Sequence, residues 1–92
     1  MNQYKERFTA LIKKMRLDLE LTQNEISDQL DMEQAQWSGY ELGKNFPSIH
    51  ALMGYLDKLE INKLNFFEIL CSDVPLQKIS SYYLVSKLKA PN

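Results

Sequence analysis

Glycine occurs three times, cysteine once and histidine once in these 92 residues. Three glycines leave no room for a phosphate-cradling glycine loop. A single cysteine, Cys71, excludes an intramolecular disulfide and any cysteine-based zinc site, and it points to a reducing, cytoplasmic setting. It reads as a half-buried small hydrophobe. His50 has no Asp, Glu or Cys around it at metal-ligand spacing, so it reads as a surface residue and no metal is expected. No apolar run nears the roughly 20 residues that span a bilayer, and MNQYKERF at the start carries no signal-peptide apolar core, so no membrane association is expected. One more scarcity is local. Between Thr22 and Gly43 there are five acidic residues and not one Lys or Arg.

What is present is ordinary for one small soluble domain: 45% hydrophobic and 25% charged residues, with a formal net charge of −1. That charge argues against a nonspecific polyanion binder, which is usually basic overall. The cations are nevertheless clustered. Lys5, Arg7, Lys13, Lys14 and Arg16 crowd the first 16 residues, Lys44 follows the acidic stretch, and Lys78, Lys87 and Lys89 lie towards the end.

The apolar spacing predicts helices throughout. Phe8, Leu11, Ile12, Met15 and Leu19 make one face of a first helix over about 4–19, with a basic outer face. Thr22 and Glu25 have the spacing of a capping box and start a second, short helix that buries Ile26 and Leu30. After a turn at 31–33, a third helix runs from about 34 to 42 with Trp37 and Tyr40 inward, and Gly43 caps it. Ser48 caps a fourth helix with the stripe Ile49, Leu52, Met53, Leu56 and Leu59. A fifth spans about 63–70, with Asn65 and Glu68 able to form a second capping pair. Val74-Pro75 ends it. Beyond Pro75 the pattern is mixed: Leu76, Ile79, Tyr83 and Leu88 suit a helix, SSYYLV suits a strand, and a short helix with a frayed 90–92 end is expected. Residues 1–72 are read as the domain and 73–92 as a C-terminal extension.

One composite pattern, R-x4-LTQxEI-x3-L-x6-W-S-x2-E-x-G-x3-PS, runs from Arg16 to Ser48. Through Arg16, Leu21-Thr22-Gln23, Glu25-Ile26, Leu30, Ser38, Glu41, Gly43 and Pro47-Ser48 it resembles the phage-repressor (Cro or Xre) helix-turn-helix family over about residues 8–70. IKKMRL at 12–17, FFEIL at 66–70 and Ser38-Gly39 followed by Tyr40-Glu41 also resemble the controller proteins of restriction–modification systems. The resemblance implies an all-α, compact five-helix, lambda-repressor-like DNA-binding domain, here with a possible short sixth helix. It also implies a dimeric transcriptional regulator of double-stranded DNA, with no cofactor and no catalysis.

Carried over residue by residue, the resemblance makes Gln23 a phosphate position at the start of the second helix. Gln34, Ala35, Gln36, Ser38 and Gly39 fall on base-reading positions of the third. Glutamine suits an adenine edge and alanine a thymine methyl. Lys44 and Asn45 match backbone-clamping positions, and Lys13 either reaches phosphate or is simply solvated. Arg16 and Glu41 are expected to form a buried ion pair, and Trp37 to take a core position. Gly39 reads as an exposed helix residue that forgoes a contact. Asp31, where the family has glycine, tolerates the left-handed turn, while Glu33 at the start of the third helix faces incoming phosphate. Phe66, Phe67, Ile69, Leu70, Tyr82 and Tyr83 exceed what a small core needs and are read as a homodimer interface, the alternative being a tail folded over the fifth helix in a monomer. A second function class stays open: a protein-interaction module on the same fold, such as an antitoxin or anti-repressor, which the acidic motif and apolar C-terminal third would suit.

Overall fold

In the computed structural model, which describes residues 3–85, every named element is helical. They are α1 (Gln3–Asp18), α2 (Gln23–Gln29), α3 (Gln34–Glu41), α4 (Ile49–Lys58), α5 (Lys63–Cys71), a 3-10 turn (Leu76–Lys78) and α6 (Ser81–Leu84). The expectations for Lys87, Leu88, Lys89 and the 90–92 end lie outside the described residues. None of the described helices is long and apolar enough to cross a membrane.

The helix starts follow local chemistry. Thr22 accepts from the Glu25 amide, and the Glu25 carboxylate accepts from the Thr22 amide at 2.8 Å, so the expected capping box is formed. Ser48 caps α4 by accepting from the Ala51 amide. The cap of α5 differs from expectation. Asn62, not Asn65, is the N-cap and accepts from the Asn65 amide, while the Glu68 carboxylate is engaged by the Tyr83 hydroxyl. An extended Asn62 lets the helix begin two residues before Asn65, so Asn65 is already inside it.

Four helix ends repeat one device. At Leu19-Glu20, Leu30-Asp31, Leu42-Gly43 and Leu59-Glu60 the second residue turns left-handed, with φ of 60°, 57°, 74° and 58°. The amide after it reaches back five residues: Leu21 to Arg16, Met32 to Ser27, Lys44 to Gly39 and Ile61 to Leu56, at 2.9–3.1 Å. The left-handed residue's own amide reaches back three residues in each case. These are Schellman closures, which satisfy the last carbonyls of a helix and fix the direction of the exit. Asp31 does take the left-handed turn that the sequence suggested for it.

α1 is the central element, packing against α3, α5, α6 and the 3-10 turn. Its Phe8, Leu11, Ile12 and Met15 join Ile26, Leu30, Trp37, Tyr40, Leu52, Leu56 and Phe66 in one core. That core also takes in Leu84 and Val85, both fully buried. The Asn62 amide donates to the Leu84 carbonyl at 2.8 Å, Ile61 and Val85 form an antiparallel bridge, and the Asn65 carboxamide donates to the Tyr83 carbonyl. Residues 76–85 therefore fold back against the same core, with Leu84 and Val85 inside it.

Candidate nucleic-acid interface

α2 and α3 lie against each other across the turn at residues 30–33. The floor beneath them is a single carboxylate. Glu41 accepts from Arg16 Nε at 2.6 Å and Arg16 Nη2 at 3.2 Å, from the Trp37 indole Nε1 at 2.5 Å and from Gln23 Nε2 at 3.1 Å. Arg16 Nη1 also donates to the Leu21 carbonyl at 2.9 Å. One acidic side chain of α3 thereby ties α1, the α1–α2 connection and α2 to α3. Burial alone would raise the Glu41 pKa, but the hydrogen bonds from Arg16, Trp37 and Gln23 outweigh it and hold the carboxylate below its ordinary value of 4.5. Among the described residues, no buried side-chain polar atom lacks a partner. The Arg16–Glu41 pair is as the resemblance implied, and Trp37 is a core residue, 2% exposed.

That floor changes the reading of Gln23. Its carboxamide is drawn inward and donates to Glu41. The start of α2 also has two amides, those of Thr22 and Glu25, already engaged by the capping box.

On α3, positions three and four apart share a face. Gln34, Ala35, Ser38, Gly39 and Leu42 form one such stripe, opposite Trp37 and Tyr40, which point into the core. Gln34 and Ala35 are exposed, Ser38 is half-buried, and Leu42 is 65% exposed. Leu42 ends the stripe and went unnoticed in the sequence, although its spacing of four from Ser38 marks it. Gln36 is off the stripe. Its Nε2 donates to the Tyr40 hydroxyl at 3.0 Å, and it lines a notch with Asp28, Asp31, Met32 and Glu33. Gln36 therefore belongs to an acidic flank, and not to the same face as Gln34. Burial and the neighbouring Tyr40 hydroxyl push the Tyr55 phenol up to about 12.

Gly39 is buried, contrary to its reading as an exposed helix residue. The side chain of Asn45, from the loop after α3, lies over it. Lys44 beside it is exposed. The same loop is pinned to α1: Phe46 packs on Phe8 at 5.7 Å between ring centroids, and the Lys5 ammonium sits 5.3 Å from the Phe46 ring centre.

The remaining α1 cations divide. Arg7 donates to the Ile69 and Val74 carbonyls, both at 2.8 Å, and so closes the end of α5. Lys14 pairs with Asp18, Arg16 is buried, and Lys13 is exposed.

The expected dimer residues also divide. Phe66 and Ile69 are 0% and 3% exposed within the chain's own core and cannot meet a partner; Phe66 packs edge-on against Phe8 and Phe67. Phe67 and Leu70 are half-buried, while Tyr82 and Tyr83 are exposed. The fold-back of the tail consumes part of the apolar surplus that the sequence had suggested for an interface. Cys71 is exposed instead of half-buried. His50 is exposed, and no group of three potential metal ligands occurs among the described residues.

No family model, curated protein or solved structure matches this chain.

Proposed function

We propose that this chain is a sequence-specific DNA-binding transcriptional regulator of the phage-repressor helix-turn-helix type, acting in the cytoplasm as a homodimer on a palindromic operator. Its sub-type is that of a restriction–modification controller or phage regulator, and it carries no catalysis. The observation that supports this reading best is the separation of charge around α3. The stripe of Gln34, Ala35 and Ser38 contains no acid, because Glu41 is neutralised beneath it by Arg16 while Asp28, Asp31 and Glu33 lie along the notch that also holds Gln36. A helix with such a face fits a major groove about 12 Å wide, where Gln34 suits an adenine edge and Ala35 a thymine methyl. Lys44 and Lys13 supply cations for phosphate, and Phe67, Leu70, Tyr82 and Tyr83 remain for a dimer contact.

One observation favours a second reading. The notch of Asp28, Asp31 and Glu33 suits a basic protein segment, as in an antitoxin or anti-repressor on this fold.

Enrichment of binding sites from a random duplex pool at low salt separates the two readings. A regulator yields an inverted repeat with half-sites about 34 Å apart, and its affinity falls with salt on a log–log slope of about −0.9 per phosphate neutralised. Gln34→Ala relaxes preference at one base pair by about 1–3 kcal/mol, whereas Lys44→Ala weakens all sequences alike. No enriched site at low salt overturns the regulator reading.

A further inference from the structure

The stripe on α3 has a gap at Gly39, and the gap is filled from outside the helix. A Cβ built on Gly39 would lie 2.4 Å from Asn45 Oδ1, 3.3 Å from its Cγ and 3.6 Å from its Nδ2. The whole carboxamide of Asn45 thus occupies the space at which a side chain at position 39 would begin. Gly39 lies three and four residues from Gln36 and Ala35, and one from Ser38, so this space borders the face that carries Ala35 and Ser38. Asn45 itself is exposed. Its loop is held on both sides. The Lys44 amide is bonded back to the Gly39 carbonyl at 2.9 Å, and Phe46 is packed on Phe8.

Resting on the DNA-binding reading above, we propose that Asn45 is a specificity-determining residue, presenting from the loop the base-reading group that α3 lacks at Gly39, with Gly39 as its positioning residue. The chemistry fits one target. A carboxamide offers a donor and an acceptor side by side, matching the N6 and N7 edge of adenine in the major groove. Glycine at 39 is then required for what lies on it. Any Cβ there collides with the carboxamide, and the mobile end of Asn45 is the part that gives way.

The test is site enrichment with the wild-type chain and with Asn45→Ala, Gly39→Ala and the double variant. Asn45→Ala is expected to lower discrimination at one A·T pair by about tenfold or more, leaving the other positions unchanged. Gly39→Ala swings the carboxamide aside while improving helix propensity, so it loses preference at the same pair without losing thermal stability. The double variant adds nothing further at that pair. Uniform loss of affinity at every sequence on Asn45→Ala marks a phosphate contact and overturns the proposal, as does an unchanged preference. Preference lost at different base pairs in the two single variants also overturns it. A wild-type chain that enriches no site overturns the DNA-binding reading itself, an outcome distinct from an enriched site indifferent to Asn45.

Discussion

The Trp37 indole donates to the same Glu41 oxygen, Oε2, that receives Arg16 Nε, at 2.5 Å and 2.6 Å. The tryptophan is therefore both a core filler and a third partner of the ion pair. Replacing an isolated buried pair with apolar residues is often neutral or stabilising. Here it also leaves the indole N–H buried without an acceptor, at about 1–3 kcal/mol. A double-mutant cycle of Trp37→Phe and Glu41→Leu, followed by urea unfolding, should give a coupling of about 1–3 kcal/mol. Glu41→Ala alone, which strands Arg16, should cost about 3–5 kcal/mol. Additive single changes in the cycle would show that the indole bond contributes nothing.

Acid sensitivity follows from the same carboxylate. The folded Glu41 has a lowered pKa, so the unfolded chain takes up its proton at a higher pH than the folded one. The stabilisation is complete above about 4.5, the ordinary value, and is lost as pH falls through the lowered folded value. Melting temperature measured from pH 6 downwards should fall below about pH 4.5. In Glu41→Gln that fall should be shallower, because no proton is left to take up at residue 41. Parallel curves for the two proteins would locate the acid-sensitive group elsewhere.

The parts of this fold that were legible in the sequence are those set by nearest neighbours. Thr22 and Glu25 stand at capping-box spacing and form the box; Gly43 and Asp31 take their left-handed turns; the apolar spacing of α1 matches its buried residues. What was not legible depends on residues far apart in the chain. Nothing local shows that the Gln23 amide turns in to Glu41, or that Gln36 turns to Tyr40. Asn45 covering Gly39 requires the path of a loop, and the burial of Phe66 and Ile69 requires a tail that returns to Leu84 and Val85. The excess of apolar residues was visible, and a tail folded over the fifth helix was one of its two readings; which residues that tail would cover was not visible.

Two of the Schellman closures also carry a cost that can be removed. Glu20 and Glu60 hold φ near 60° with a Cβ, a conformation that disfavours most L-residues by about 1–2 kcal/mol, and they put negative charge at a helix C-terminus, where the dipole opposes it. Glu60→Gly is expected to stabilise the chain by about 0.5–1 kcal/mol, after the entropy that glycine adds to the unfolded chain. Asp31→Gly should gain less, since aspartate tolerates this conformation better. Gly43→Ala should go the other way, losing about 1 kcal/mol. Thermal unfolding of the three variants checks the order, and destabilisation by Glu60→Gly would contradict it.

The last turn of the described chain belongs to the core. Leu84 is fully buried, whereas Tyr82, two residues before it, is 44% exposed. If the segment after Pro75 were an appendage, both positions would tolerate alanine. As part of the core, Leu84→Ala should cost about 2–5 kcal/mol by leaving a cavity, while Tyr82→Ala stays within about 0.5 kcal/mol. A chain of this size has only about 5–14 kcal/mol of stability, so the first change removes a large share of it. Hydrogen exchange gives an independent measure. The Asn62 amide is bonded to the Leu84 carbonyl, so deleting the residues after Ser80 should remove its protection and expose α5 and α1 to exchange as well. A truncated chain that keeps wild-type protection in α1 would show that the core closes without its tail.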